Sequence, residues 1–279
     1  MRESGYLIGA LQAVQEQRPV SEILAAFQKA YDQHTFGDSE VTEQLSNTAR
    51  GLAGNQQISA DDKKKLIDES IKHLRELTNG PAPDVKHYLF LGSILSTGMT
   101  LNQAYAAEYA PEAEQVLKKA VEMSPTKQIV YFELAQFYLS FGRANEAEEI
   151  LYKAWNLDRD FVEAGVNTWI VGVLAHKDDY IKEVRDAIPM DSLSEDLLSR
   201  LSRVYQQTGD FKTALAIFDR LVKLNPASAQ YHAIRAALLA NEGRKEEAIA
   251  EADESCKLDS ANFCKDAEMF KSKLNEPRE

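Results

Sequence analysis

Gly142, His176, Gly209 and Gly243 follow one another at intervals of 34, 33 and 34 residues, and around each the same side-chain types return at the same offsets. Five residues past each member come Ala147, Ile181, Ala214 and Ala248, and four beyond those come Leu151, Arg185, Phe218 and Ala252. A period near 34 constrains the fold strongly, because one supersecondary unit is copied along the chain and each copy buries its apolar face against its neighbours. The copy at His176 departs most from the pattern.

Within a unit the apolar spacing is helical. Tyr131, Leu134, Ala135 and Tyr138 stand at i, i+3, i+4 and i+7, the buried stripe of an amphipathic helix. Gly142 then supplies a left-handed stop, Ala147 allows a second helix to approach the first, and Pro226 marks where a helix ends. Leu201, Tyr205, Gly209, Ala214, Phe218 and Pro226 together resemble the tetratricopeptide repeat. That resemblance implies an all-α fold, an α-solenoid of helix-turn-helix repeats wound as a right-handed superhelix. A further copy precedes these, with Tyr88, Leu91, Gly92 and Leu95 in its first helix and Ala113, Leu117, Ala120 and Pro125 in its second. Gly92 and Ala135 hold equivalent places but lie 43 residues apart, so the surplus falls at 98–109. That stretch reads either as an extended helix end or loop, or as part of the binding face where solenoid insertions often map.

Residues 1–83 keep the helical period without the repeat signature and read as four helices in two hairpins. Pro19 opens one helix, Gly54-Asn55 closes another, Ser59 to Asp62 cap the next, and Gly80-Pro81-Ala82-Pro83 breaks the chain. The repeats then occupy 84–260. Residues 261–279 carry many charges beside Phe263, Met269, Phe270 and Leu274, as a capping helix with a polar outer face does.

Acids outnumber bases 44 to 32, a formal net charge of −12, and the excess is spread along the chain with no basic stripe, which argues against a nucleic-acid partner. Lys63-Lys64-Lys65 sits beside Asp61 and Asp62 and reads as a solvated helix face. No apolar run approaches the ~20 residues that span a bilayer, and the longest, Trp169 to Ala175, belongs to a repeat helix. Met1 to Leu11 is too short and too soon interrupted for a signal peptide.

No catalytic set, cofactor site or metal site emerges. His34, His73, His87, His176 and His232 stand singly, and no paired-histidine, paired-cysteine or phosphate-loop pattern occurs. Glu146, Glu148 and Glu149 form an acidic cluster at a helix start, where the helix dipole favours negative charge. Cys256 and Cys264, the only cysteines, fall at the end of one helix and the start of the next. Antiparallel neighbours bring them within the Cα separation of about 7 Å that a disulfide needs; an oxidising compartment closes that staple, and a reducing one leaves two thiols.

His34-Thr35-Phe36-Gly37 with Glu43-Gln44-Leu45, Lys86 to Ser93, and Ser124 to Gln128 with Tyr131 to Gln136 resemble the carboxy-terminal repeat region of bacterial O-antigen ligase/polymerase-like membrane proteins. The resemblance implies an extracytoplasmic, membrane-associated piece beside a glycan-transferring domain; a cytoplasmic location is the alternative. Repeat resemblance alone implies a non-catalytic scaffold that binds a protein or peptide partner along a concave groove. Offsets two, five, nine and twelve point into it, giving Lys86, Leu89, Ser93 and Ser96; Ile129, Phe132, Gln136 and Leu139; Glu163, Val166, Ile170 and Val173; Asp196, Ser199, Arg203 and Gln206. Leu89, Phe132, Gln136, Val166, Ile170 and Arg203 are the candidate partner-binding residues, with Tyr105 and Tyr109 of the surplus segment on the same surface or its rim. Phe132 and Ile170 equally suit ordinary contact with the next repeat. The Lys/Asn/Arg clamp by which related scaffolds hold a terminal carboxylate is missing here.

Overall fold

The computed structural model describes residues 2–33, 37–176 and 179–276. These residues form fifteen α-helices and one 3₁₀ turn, with no strand among them. His34, Thr35 and Phe36 of the first resemblance phrase lie outside the described residues. The helices gather in two compact units, residues 1–142 and 143–279.

In the first unit, α1 (Arg2–Gln15) packs on α2 (Val20–Tyr31), α3 (Asp38–Ala53) on α4 (Ala60–Thr78), and α5 (Val85–Met99) on α6 (Gln103–Met123), with α7 (Gln128–Ser140) following. The punctuation works locally. Pro19 precedes α2, where its missing N–H costs nothing. The Ser59 hydroxyl accepts from the Asp62 amide at 3.1 Å, and Asp61 and Asp62 place negative charge in the first turn of α4. α5 and α6 approach closely at Gly92: a Cβ there would stand 2.5 Å from Leu117.

The surplus residues at 98–109 are mostly helix. α5 continues to Met99 and α6, 21 residues long, begins at Gln103. Tyr109 is buried, its ring against Gly98, and its hydroxyl donates to Asp68 of α4 at 2.9 Å. Tyr105 stacks beside it with ring centres 6.0 Å apart, and the Lys64 ammonium lies 4.9 Å from the Tyr105 ring centre. Placing Tyr105 and Tyr109 on the partner face is therefore corrected: both pack toward α4, because two more helical turns need an apolar and hydrogen-bonding seat. Lys64 is correspondingly half-buried rather than solvated.

The second unit holds α8 (Ala144–Leu157), α9 (Val162–Ala175), α10 (Asp179–Ala187), a 3₁₀ turn at Met190–Ser192, α11 (Glu195–Thr208), α12 (Phe211–Leu224), α13 (Ala229–Asn241), α14 (Lys245–Leu258) and α15 (Ser260–Asn275). Gly142, Gly209 and Gly243 stand at φ +67°, +82° and +76°, and His176 takes the same left-handed place at φ +54°. The odd copy thus keeps the backbone and gives up the residue. A second exchange compensates it. Where its siblings put Ala147, Ala214 and Ala248, all fully buried, it has Ile181, and the facing residue is Gly172, whose added Cβ would come 2.6 Å from Ile181. Bulk has moved from one side of the contact to the other.

The acidic cluster on α8 is not uniformly solvated. Glu146 pairs with Arg143 at 2.8 Å and Glu149 with Lys153 at 2.8 Å, but Glu148 is fully buried and its carboxylate lies against Gly172. At the end of the chain, Cys256 and Cys264 form a disulfide with Cα atoms 4.2 Å apart, joining α14 to α15.

Candidate functional site

The first helices of successive hairpins supply the candidate face, and in unit 1 these are α3, α5 and α7. Lys86 meets the Glu43 carboxylate at 2.6 Å, and His87 Nε2 lies 2.7 Å from the Ser39 hydroxyl, so two polar ties hold α5 on α3. Ser93, almost wholly buried, keeps the middle of α5 low, and the Thr97 hydroxyl turns back to the Ser93 carbonyl at 2.9 Å. Leu89 and Phe132 are half-buried, Gln136 is exposed, and Ile129 is 50% exposed. Leu89 and Phe132 hold the same place in successive units, Gln136 the place of Ser93.

Glu133, one residue past Phe132, carries the sharpest electrostatic feature of that face. It is half-buried and makes no hydrogen bond or ion pair among the described residues. Burial pushes its carboxyl above the ordinary glutamate range, and the Arg50 guanidinium of α3 pulls it part of the way back. Arg50 is exposed and likewise makes no ion pair among the described residues. The field of Arg50, on α3, thus reaches Glu133 on α7.

Unit 2 presents α9 and α11 in the same role. Arg200 donates to Glu163 at 3.1 Å and to Asn167 at 2.5 Å, and the buried Trp169 indole donates to the Tyr205 hydroxyl at 2.8 Å. Ile170 is half-buried; Arg203 is exposed with no hydrogen bond or ion pair among the described residues. Val166 is 0% exposed, which corrects its place on the partner face: it is core. The four-residue spacing from Ile170 put both on one stripe, and a stripe rotated slightly inward buries its first member.

Two of the clefts among the described residues lie beside these faces. One of about 730 Å³ runs along α4, α5 and α6, but Arg75 is held by Glu112 at 2.5 Å, Lys118 by Glu114 at 2.7 Å and Lys119 by Glu122 at 3.1 Å, leaving its charges matched within the chain. The other, of about 340 Å³, lies between α9, α10 and α11, where Arg185 stands 5.7 Å from the Trp169 ring centre. No group of histidine, cysteine and carboxylate residues suited to a metal ion occurs among the described residues. His73 and His232 pack or tie helices instead: His73 stacks on Tyr31 at 3.8 Å, and His232 bridges Glu251 at 2.7 Å and the Pro226 carbonyl at 3.0 Å.

Sequence reasoning missed Glu133 and Arg50. Glu133 sits at offset six, beside the counted offset five, and was legible from the helical wheel; Arg50 lies where the repeat signature fails and was not.

Models of the tetratricopeptide repeat family match residues 104–164 and 200–263. The human protein DnaJ homolog subfamily C member 3 is 25% identical over 199 residues, covering 66% of this chain and 38% of that protein, and its Bos taurus counterpart is 24% identical over the same length. The chain thus spans about two fifths of the length of these relatives. A crystal structure of a tetratricopeptide repeat protein from Parabacteroides merdae aligns with 98% of this chain and 99% of its own at a TM-score of 0.55 and 11% identity, a likeness of fold. The period, the left-handed stops, the paired helices and these matches converge: this chain carries tetratricopeptide repeats in an all-helical solenoid fold.

Proposed function

We propose that the chain is a non-catalytic scaffold whose first-helix faces bind an extended segment of a partner protein. One observation carries the reading: on both units these faces carry a half-buried apolar residue, Phe132 or Ile170, and an exposed polar one, Gln136 or Arg203. An apolar anchor ringed by polar groups suits peptide recognition, since the anchor supplies affinity and the rim orientation. Leu89 extends the apolar part of the first face, and Arg203 offers a charge-assisted contact on the second.

The test is binding of fluorescent nonapeptide pools to the whole chain, followed by anisotropy. Phe132→Ser with Ile170→Ser weakens binding by about tenfold or more while circular dichroism stays unchanged. Binding that survives the double change, or a double variant that unfolds, returns both residues to the core and ends the claim.

The alternative, an accessory region of an O-antigen ligase/polymerase-like membrane enzyme, is supported by the three sequence phrases alone. Apolar spans encoded in frame upstream of Met1 would establish it.

A further inference from the structure

The face made by α3, α5 and α7 is electrically incomplete. Lys86 is neutralised by Glu43, His87 is occupied by Ser39, and the hydroxyls of Ser96 and Thr97 are spent on the carbonyls of Gly92 and Ser93. The Glu133 carboxylate is left half-buried with no donor among the described residues. Partial burial disfavours its charge, and a cation brought against it would offset that cost. Arg50 is the one cation whose field reaches it, and that field does not outweigh the burial. Phe132, one residue before it, and the half-exposed Ile129, one helical turn before it, add apolar surface on α7. An acidic spot in an apolar setting complements a long side chain with an apolar stem and a cationic tip.

Building on the binding role proposed above, we infer that this face takes a partner segment bearing a lysine or arginine, whose cation seats on Glu133 while its methylene stem lies along Phe132. The carboxylate then gains the donors that the fold withholds. The net charge of −12 draws basic segments toward the chain in general, and Glu133 selects where one docks.

Three fluorescent nonapeptide pools test this, each randomised around a fixed central residue: lysine, glutamine or glutamate. The whole chain is expected to bind the lysine pool about tenfold more tightly than the glutamine pool. Glu133→Gln, which keeps the shape and removes the charge, abolishes that preference and leaves the glutamine pool bound as before. Glu268→Gln, an exposed carboxylate on α15, removes the same charge elsewhere and leaves the preference intact. A lysine preference that persists in Glu133→Gln, or falls equally in Glu268→Gln, overturns the assignment to Glu133. Pools that bind without preference overturn this inference and leave the binding role standing; pools that do not bind at all overturn both.

Discussion

Gly209 stands at φ +82°, and a Cβ added there would meet no atom within 4 Å, so any cost of replacing it is backbone strain alone. Gly209→Val is expected to lose about 1–2 kcal/mol in thermal or urea unfolding. Gly92 is the opposite case, a crowded site, where Gly92→Ala is expected to lose about 1–3 kcal/mol through the forced shift of Leu117. Glu133 carries a prediction with a pH sign. Its folded carboxyl titrates above its unfolded value because burial disfavours the charge. The folded state therefore holds its proton longer than the unfolded state does, and stability falls as pH rises from the ordinary glutamate value through the raised one. Glu133→Gln removes that cost, so the variant melts higher than wild type at pH 7 and the gain vanishes below the ordinary glutamate range. A variant less stable at pH 7 would mean that Glu133 is a structural partner rather than an unpaired carboxylate.

At the scale of the helices, much was readable because the signals were local. Pro19, Ser59 and the Gly80 to Pro83 break act through their own dihedrals and hydrogen-bonding groups, and each marks a real helix boundary. What escaped was set by contacts across the chain. The residues at 98–109 prolong helices, one of the two readings of that stretch, but the seat of Tyr109 against Gly98 and Asp68, 41 residues back in sequence for its hydroxyl, could not be read. Val166 fell inside and Glu148 was buried for the same kind of reason: a helical stripe gives direction to within about one residue, while depth depends on the neighbour. The last helix shows the balance most simply. α15 fully buries only Ala267, against Ala236 and Ala252, with Phe270 partly packed. Its cross-link to α14 therefore matters more than its core. In the chain-entropy account, closing so short a loop contributes about 2–3 kcal/mol. Reduction, or Cys264→Ser, is expected to speed amide exchange in α15 by well over tenfold while α11 and α12 exchange as before; uniform acceleration along unit 2 would show α15 to be an integral part of its core.

For the whole molecule, the repeat grammar defines a scaffold and leaves its occupant to a few surface residues. The period was legible even through the degenerate copy, because His176 keeps the left-handed stop and Gly172 makes room for Ile181. The proposed partner face was only partly legible, since Leu89, Phe132, Gln136, Ile170 and Arg203 lie at or near the surface while Val166 does not. Its charge logic depends on the distant field of Arg50 acting on an unpaired Glu133, which no repeat pattern announces. The most direct measurement is where a bound segment touches. Nonapeptides carrying a central lysine and a terminal photo-crosslinker, irradiated with the whole chain and mapped by mass spectrometry, are predicted to attach to α3, α5 and α7 around Leu89, Phe132 and Gln136. Attachment confined to α4 and α6, along the 730 Å³ cleft, would contradict the account.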